Sequence, residues 1–193
     1  MKTVTLSFLL LISIIFLFSC SEDSSTSHNA IDKNYLPLKV GASWEYRRMD
    51  VQRPIFYYRE NIIQEESIGY YKTRMIFADE SGINAIIDTF YYKMTNEGLM
   101  IFDKTKFYGD YILKKPYEVG DYWTTQVNDT LLKTYAIVDD DVTLETFAGT
   151  FPGCITVHSW YNADTTDYSE YIYAPNVGCI KRLDYFLDSY NIP

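Results

Sequence analysis

The chain has 193 residues and a formal charge of −9, with 26 acidic residues against 17 Lys and Arg. Nucleic-acid binding rests on basic side chains that neutralise phosphates, so this balance excludes that class of partner. The length suits one domain of ordinary size. Aromatics at 17%, 19 of them Tyr, point to strands, where a broad ring packs on a pleated surface while its hydroxyl reaches water.

The N-terminus places Lys2 ahead of a run from Val4 to Phe18 that is apolar apart from Thr5, Ser7 and Ser13. This is the pattern of a secretory signal peptide, and it meets Ser19, Cys20, Ser21, Glu22 and Asp23 too early for a helix of about 20 apolar residues to span a bilayer. Leu17-Phe18-Ser19-Cys20 resembles the lipobox of bacterial lipoproteins. That resemblance implies removal of residues 1–19, a diacylglyceryl group on the Cys20 thiol and further fatty acylation, palmitate included, of the new amine. Ser21-Glu22-Asp23 is similar to the short acidic export tag of Bacteroidetes-type lipoproteins, which implies an outer-membrane protein on the cell surface rather than on the periplasmic face. An uncleaved anchor, or a leader cut elsewhere, are the competing readings. Two or more acyl chains hold a protein stably without any span, since each buried methylene contributes about 0.8 kcal/mol. Residues 20–34 are acidic and Ser-rich with little to bury, a composition that stays disordered. They read as a tether before a single domain over 35–193.

Strand-like segments rich in Tyr, Phe, Ile, Val and Thr then follow: 43–49, 54–64, 70–78, 83–95, 99–103, 121–127, 131–138, 142–147, 154–161, 168–174 and 179–186. Between them stand turn signals such as Glu80-Ser81-Gly82, Asn96-Glu97-Gly98, Asn128-Asp129, Asp139-Asp140-Asp141 and Ala148-Gly149. Many short strands with regular turn chemistry predict an all-β fold with little helix. We expect a strongly bent antiparallel sheet, an open or closed barrel, with a two-sheet sandwich as the alternative. The phrases "PLKVGASW" (37–44) and "PYEVGDYW" (116–123) share Pro, Val, Gly and Trp at equal offsets. Each reads as a bend that launches a strand and buries its Trp, because Pro fixes φ and Gly permits a left-handed backbone.

Cys154 and Cys179 lie in a chain whose leader sends it to an oxidising compartment, where disulfides persist. A hairpin folded about "NADTTDY" places Cys154 opposite Cys179 and Tyr161 opposite Ile172, within bridging reach. Two buried thiols are the alternative.

"PLKVGASW", "AGTFPGC" (Ala148–Cys154) and "YAPNVG" (Tyr173–Gly178) are similar to phrases of uncharacterised secreted bacterial β-domains. The matching positions are turn residues, and they imply a fold type with no catalytic residues to carry over.

Chemistry-bearing motifs are sparse. The chain has 2 His, of which only His158 falls in the domain, too few for the usual zinc site. No nucleophile elbow, phosphate loop or HExxH helix occurs, and Asp139-Asp140-Asp141 lacks the alternating ligands of a calcium loop. The expectation is therefore no metal and no cofactor. The feature with functional potential is three Tyr doublets: Tyr57-Tyr58, Tyr70-Tyr71 and Tyr91-Tyr92. Adjacent strand residues face opposite sides, so neighbouring strands would assemble the outer rings into a platform able to stack on sugars or a protein partner. Ordinary cross-strand aromatic pairing is the plainer reading. The sequence leads to a lipid-anchored, non-enzymatic binding module for a glycan or protein partner. A carrier of an apolar ligand inside the curved sheet is the alternative, and a hydrolase the third.

Overall fold

The computed structural model describes residues 34–48, 56–66, 68–79 and 84–193, and gives the backbone alone for 56, 57, 78, 79 and 84–87. The chain divides into two units, Met1–Asp32 and Lys33–Pro193, and the described residues belong to the second. The leader, Cys20 and all of the tether except Asn34 lie outside them.

Twelve strands account for the regular structure of the described residues. They are β1 (Ser43–Arg48), β2 (Phe56–Glu66), β3 (Tyr70–Asp79), β4 (Asn84–Met94), β5 (Gly98–Phe102) and β6 (Gly109–Lys114). The second six are β7 (Tyr122–Asn128), β8 (Leu131–Thr146), β9 (Gly149–Tyr161), β10 (Tyr168–Ala174), β11 (Gly178–Arg182) and β12 (Tyr185–Asn191). All belong to one antiparallel sheet in the order β6-β5-β4-β3-β2-β1-β12-β11-β10-β9-β8-β7. The sheet is a nearly closed barrel, and the two-sheet alternative is excluded. Consecutive strands pair within β1–β6 and within β7–β12, β6 and β7 being the two edges, and the one non-consecutive pairing, β1 with β12, joins these two six-strand meanders. Between β6 and β7 the indole Nε1 of Trp123 donates to the Tyr111 carbonyl at 2.7 Å, a side chain drawing the two outermost strands together.

The two similar phrases open the two meanders with the same backbone. Gly41 and Gly120 hold φ of +90° and +96°, a left-handed conformation that only glycine adopts without strain. Gly41 N–H donates to the Ile62 carbonyl and Gly120 N–H to that of Ile137, at 2.8 and 2.9 Å. Ile62 N–H and Ile137 N–H then return to the carbonyls of Ala42 and Asp121, both at 2.9 Å. Trp44 and Trp123, three residues on, are both buried. Each such ring removes about 150–250 Å² from water, or about 4–6 kcal/mol gross at ~25 cal/mol per Å².

Register shows which side chains share the concave face, because directly paired residues point the same way. Trp44, Tyr46, Tyr58, Glu60, Ile62, Thr73, Phe90, Tyr92, Leu99, Leu113, Trp123, Tyr135, Ile137, Ile155, Val157, Ser159, Tyr173 and Leu187 are buried there. A barrel of this strand number encloses more room than an eight-strand one, and large rings occupy it: Tyr46 stacks on Tyr58 at 4.5 Å, and Tyr58 meets Tyr185 edge-on at 5.1 Å. In an up-and-down barrel the N-terminus and the even-to-odd turns share one end. Here that base is capped by Tyr35 and Leu36, both buried, with Asn176 N–H donating to the Asn34 carbonyl at 2.7 Å. The other end carries the odd-to-even turns and forms the mouth.

Four expectations are corrected. Asp139-Asp140-Asp141 is not a turn: β8 runs through it, and register shifts between Ile137 and Leu144 absorb the extra residues as bulges. β6 falls in a stretch that carries no strand signal in the sequence. Segment 179–186 is two strands, with the chain reversing at Leu183-Asp184, where Leu183 has φ of +54°. The β9–β10 register pairs Ile155 with Tyr173 and Trp160 with Tyr168, so neither Cys154–Cys179 nor Tyr161–Ile172 are partners. The turn at Pro175–Val177 moves Cys179 onto β11, with β10 between it and β9. Two strands away means about 9.6 Å at ~4.8 Å per strand, beyond the ~4.4–6.8 Å Cα separation of a disulfide. Cys154 and Cys179 are accordingly buried thiols. Their Sγ atoms donate to the carbonyls of Phe151 and Lys181, both at 3.1 Å.

Candidate binding site

The Tyr doublets lie on β2, β3 and β4, which are neighbours. Tyr58, Tyr71 and Tyr92 share the concave face through the pairs Tyr58–Phe77 and Tyr71–Tyr92. Tyr70 and Tyr91 are on the convex face, with rings 6.4 Å apart and Tyr70 edge-on to Phe102 at 5.1 Å. They do not form an open platform. Tyr91 is 7% exposed, Lys106 lies over its ring at 4.4 Å, and Lys93 lies over that of Tyr70 at 4.3 Å. Tyr91 Oη donates to Glu66 at 3.3 Å, and Lys106 closes an ion pair to the same carboxylate. The side chain of Tyr57 lies outside the described residues.

The interior holds the more unusual chemistry. Toward the base the concave face is apolar and filled by Trp44, Ile62, Leu99, Leu113, Ile137 and Ile155, among the largest fully buried side chains. At mid-height Glu60 on β2 is 2% exposed. Arg182 Nη1 on β11 donates to its Oε1 at 2.7 Å, and Tyr92 Oη on β4 to its Oε2 at 3.1 Å. This is a chord across the barrel, tying three strands that are not neighbours. Burial works to lower the Arg182 guanidinium, but the Glu60 carboxylate and the Tyr58 and Tyr92 hydroxyls outweigh it and hold it firmly charged. Burial likewise pushes the Tyr46, Tyr58 and Tyr92 hydroxyls well above the usual phenol range. Tyr46 Oη donates to the Cys179 carbonyl at 2.8 Å. Tyr58 Oη, Ser159 Oγ and Arg182 Nε are buried with no hydrogen-bond partner among the described residues.

Toward the mouth, Lys133 on β8 sits among three rings. Its Nζ is 4.9 Å from the ring centre of Tyr135, 5.5 Å from Tyr161 and 5.9 Å from Tyr171. The arrangement follows from register: Lys133 pairs with Tyr161, Tyr135 with Ser159, and Val157 with Tyr171, so all share the concave face. Tyr135 in turn stacks on Trp123 at 5.5 Å and 6°. Asp110 on β6 faces the same space through its pair with Ile101. Burial lowers the Lys133 ammonium, with Asp110 opposing and the Arg182 charge adding to the lowering. Burial raises the Asp110 carboxyl, with Lys133 opposing. Each charge is thus short of solvation, and Tyr161 at 48% exposure marks the opening to water. A donor, an acceptor and upright Tyr rings at one mouth suit a ligand with several hydroxyls and an apolar ring face.

None of Glu60, Asp110, Lys133, Tyr135, Tyr161, Tyr171 or Arg182 is conspicuous in the sequence. The available signal is alternation: Lys133, Tyr135 and Ile137 occupy one face of a strand, and a Lys in phase with a buried Ile is a charge directed inward.

His158 lies on the convex face, stacked on Tyr168 at 4.0 Å, with its Nε2 3.2 Å from Glu170 Oε2. Lys181 pairs with the other Glu170 oxygen. Among the described residues no group of three or more His, Cys, Asp or Glu is arranged to hold a metal ion.

No family model matches the chain, and no curated protein does. Among solved structures it is similar to a Bacteroides fragilis protein assigned as exported and given a YmcC-like fold. The TM-score is 0.50 and the identity 13%, over 83% of this chain and 100% of that one. At that identity the likeness shows the fold alone.

Proposed function

We propose that this chain is an exported, lipid-anchored outer-membrane protein whose barrel is a non-enzymatic binding module, taking a glycan at the mouth. The observation that carries the reading is the Lys133 cage, a desolvated ammonium between Tyr135, Tyr161 and Tyr171 with Asp110 facing the same space. A sugar supplies what those groups lack: hydroxyls that accept from Lys133 and donate to Asp110, and C–H faces that stack on tyrosine. Binding is favoured over turnover because the fully buried carboxylate, Glu60, is already committed to Arg182 and Tyr92. The lipobox at Leu17–Cys20 supports the anchor, and the likeness to a protein assigned as exported agrees with it. Asn34, the first described residue, lies at the base of the barrel. Cell-surface display is our reading over the periplasmic face, from the acidic tag at Ser21–Asp23.

Purified full-length chain on a glycan array tests the binding role. Retention of a carbohydrate class that Lys133→Met and Tyr161→Ser both lose is expected. Retention of none, or chemical turnover of a retained sugar, overturns it. Mass spectrometry of the native N-terminus tests the anchor, with an acylated Cys20 as first residue expected.

A further inference from the structure

Below the mouth, register sets the concave side chains of β8 to β11 in successive rows, because directly paired residues share a face. The outermost row holds Lys133 and Tyr161, and the next Tyr135 and Ser159. The third holds Ile137, Val157, Tyr171 and Arg182. Two cations therefore stand one row above and one row below Ser159, and both reach the same ring. Lys133 Nζ lies 5.9 Å and Arg182 Cζ 6.0 Å from the ring centre of Tyr171. The Arg182 charge works against that of Lys133, as like charges do when they share a poorly hydrated space.

The surroundings of the two cations are rich in donors and short of acceptors. Ser159 Oγ and Arg182 Nε are buried with no hydrogen-bond partner among the described residues. So is Tyr58 Oη, whose ring packs on Tyr185, the strand partner of Arg182. Both Glu60 oxygens are occupied: Oε1 accepts from Arg182 Nη1 and Oε2 from Tyr92 Oη. Asp110 faces the mouth from β6, where burial works toward its neutral form and Lys133 opposes. A buried donor left without a partner is costly. A sugar hydroxyl brings a donor along with its acceptor, whereas an ionised carboxylate only accepts, through two oxygens. Its negative charge also offsets the repulsion between Lys133 and Arg182.

We infer that the glycan taken at the mouth is acidic, its carboxylate lying between Lys133 and Arg182 beside Tyr171, with Ser159 Oγ as a further donor. The inference rests on the glycan reading of the mouth and narrows it to uronic acids and other carboxylated sugars. Lys133 supplies a compact charge at the entrance, and Arg182 supplies the Nε–H that its pairing with Glu60 leaves over. Tyr135 and Tyr161 take the C–H faces of the sugar ring, and Asp110 accepts from a hydroxyl away from the carboxylate.

The test is an array of uronate oligosaccharides of varied linkage, each beside its carboxyl-reduced neutral counterpart, probed with the full-length chain at neutral pH. Within a pair the acidic member should be held about tenfold or more tightly, the strength of one charge-assisted hydrogen bond. Free acetate at the sugar's concentration should not displace it. Lys133→Gln keeps a donor without the charge and should erase the preference for the acidic member. Arg182→Lys keeps a cation for Glu60 but removes the Nε donor, and should weaken retention of the acidic member. No hydrogen bond among the described residues depends on the Lys133 side chain, so Lys133→Gln carries the test whether or not the Arg182 variant folds. Equal retention of the two members, or retention of neutral glycans alone, overturns the acidic ligand and leaves the glycan module standing. A preference that survives Lys133→Gln places the carboxylate elsewhere, against the proposal. Displacement by acetate means that a bare anion is read, and it overturns the sugar. Retention of no glycan overturns the inference and the binding role together.

Discussion

Replacing Arg182 by Met isolates the energetics of the interior chord. Glu60 would keep its place with the side chain 3% exposed, its Oε1 stripped of the 2.7 Å guanidinium contact, and only the 3.1 Å Tyr92 hydroxyl left. Breaking one partner of a buried pair costs about 3–5 kcal/mol, because an uncompensated charge stays behind. The Arg182 side chain is 22% exposed, so some water already reaches the pair and the lower end, about 3 kcal/mol, is expected. For a domain of this size that is a fall in Tm of about 6–12 °C, at ~2–4 °C per kcal/mol. The double variant Glu60→Leu/Arg182→Met removes both charges, and apolar replacement of a buried pair is often neutral. It should recover most of the loss, leaving the Tyr92 hydroxyl as the residual cost. Thermal unfolding followed by circular dichroism reads both variants. If the double variant is as unstable as the single one, the damage is lost packing and the electrostatic account of the chord is wrong.

Other outcomes follow from the same geometry. Trp44→Phe and Trp123→Phe each delete an indole donor, to the Val177 carbonyl at 2.6 Å and to the Tyr111 carbonyl at 2.7 Å. Each should cost about 1–3 kcal/mol for the orphaned carbonyl, read by urea unfolding, and a difference of severalfold would deny the equivalence of the two phrases. Burial pushes the Cys179 thiol up to about 12, so a thiol reagent at pH 8 should label neither it nor Cys154 until the chain is denatured. Two thiols should then appear, and a disulfide in the non-reduced mass would contradict the register. Burial works to raise the Glu170 carboxyl, but hydrogen bonds from Lys181 and His158 and their charges hold it below the ordinary Glu value of 4.5. A depressed folded pKa stabilises the native state above the unfolded value, and that contribution is lost as pH falls through the folded one. Glu170→Gln should therefore flatten the decline of Tm below pH 4.5, and an unchanged slope would remove Glu170 from the acid response. Lys133→Met relieves a desolvated ammonium, so its Tm should hold or rise while glycan retention falls. A Tm loss in proportion to the binding loss would make Lys133 structural.

How far the sequence carries is best seen strand by strand. The repeated Pro-x-x-Val-Gly-x-x-Trp phrase was legible because its backbone chemistry is local: a left-handed Gly before a Trp that must be buried looks the same in sequence as in space. β6 was not, because Gly109-Asp110 opens it with punctuation residues and only five residues follow before Pro116. The Asp139–Asp141 run misled for a related reason, since a bulge and a turn are both places where an acidic residue can leave the ladder, and composition does not separate them. Symmetry about one polar loop misplaces the cysteines, because the second reversal at Pro175–Val177 puts Cys179 on a further strand. The interior charges were hidden more deeply. Alternation tells which residues of a strand share a face but not which face is inside, and a charged residue is assigned to solvent by default. Glu60 and Arg182 are both inside, and only the closing of β2 and β11 around one chord shows that they answer each other.

The duplicated architecture separates what the fold requires from what it merely carries. Counting from the equivalent tryptophans, Trp44 pairs with Glu60 and Tyr46 with Tyr58, while Trp123 pairs with Tyr135 and Thr125 with Lys133. Ile62 and Ile137 anchor the same two hydrogen bonds in each half, so Glu60 corresponds to Tyr135 and Tyr58 to Lys133. The backbone, the glycine, the tryptophan and the isoleucine are common to both halves, and the next two inward positions are not. A scaffold that builds the same bend twice accepts an acid or a phenol at one site and a phenol or an ammonium at the other. The fold therefore does not dictate the charged residues at these positions. Of the two, Glu60 is neutralised from within by Arg182 and Tyr92. Lys133 is left half-solvated at the mouth, caged by rings and opposed by the displaced carboxyl of Asp110, and it is there that a ligand has something to gain by entering.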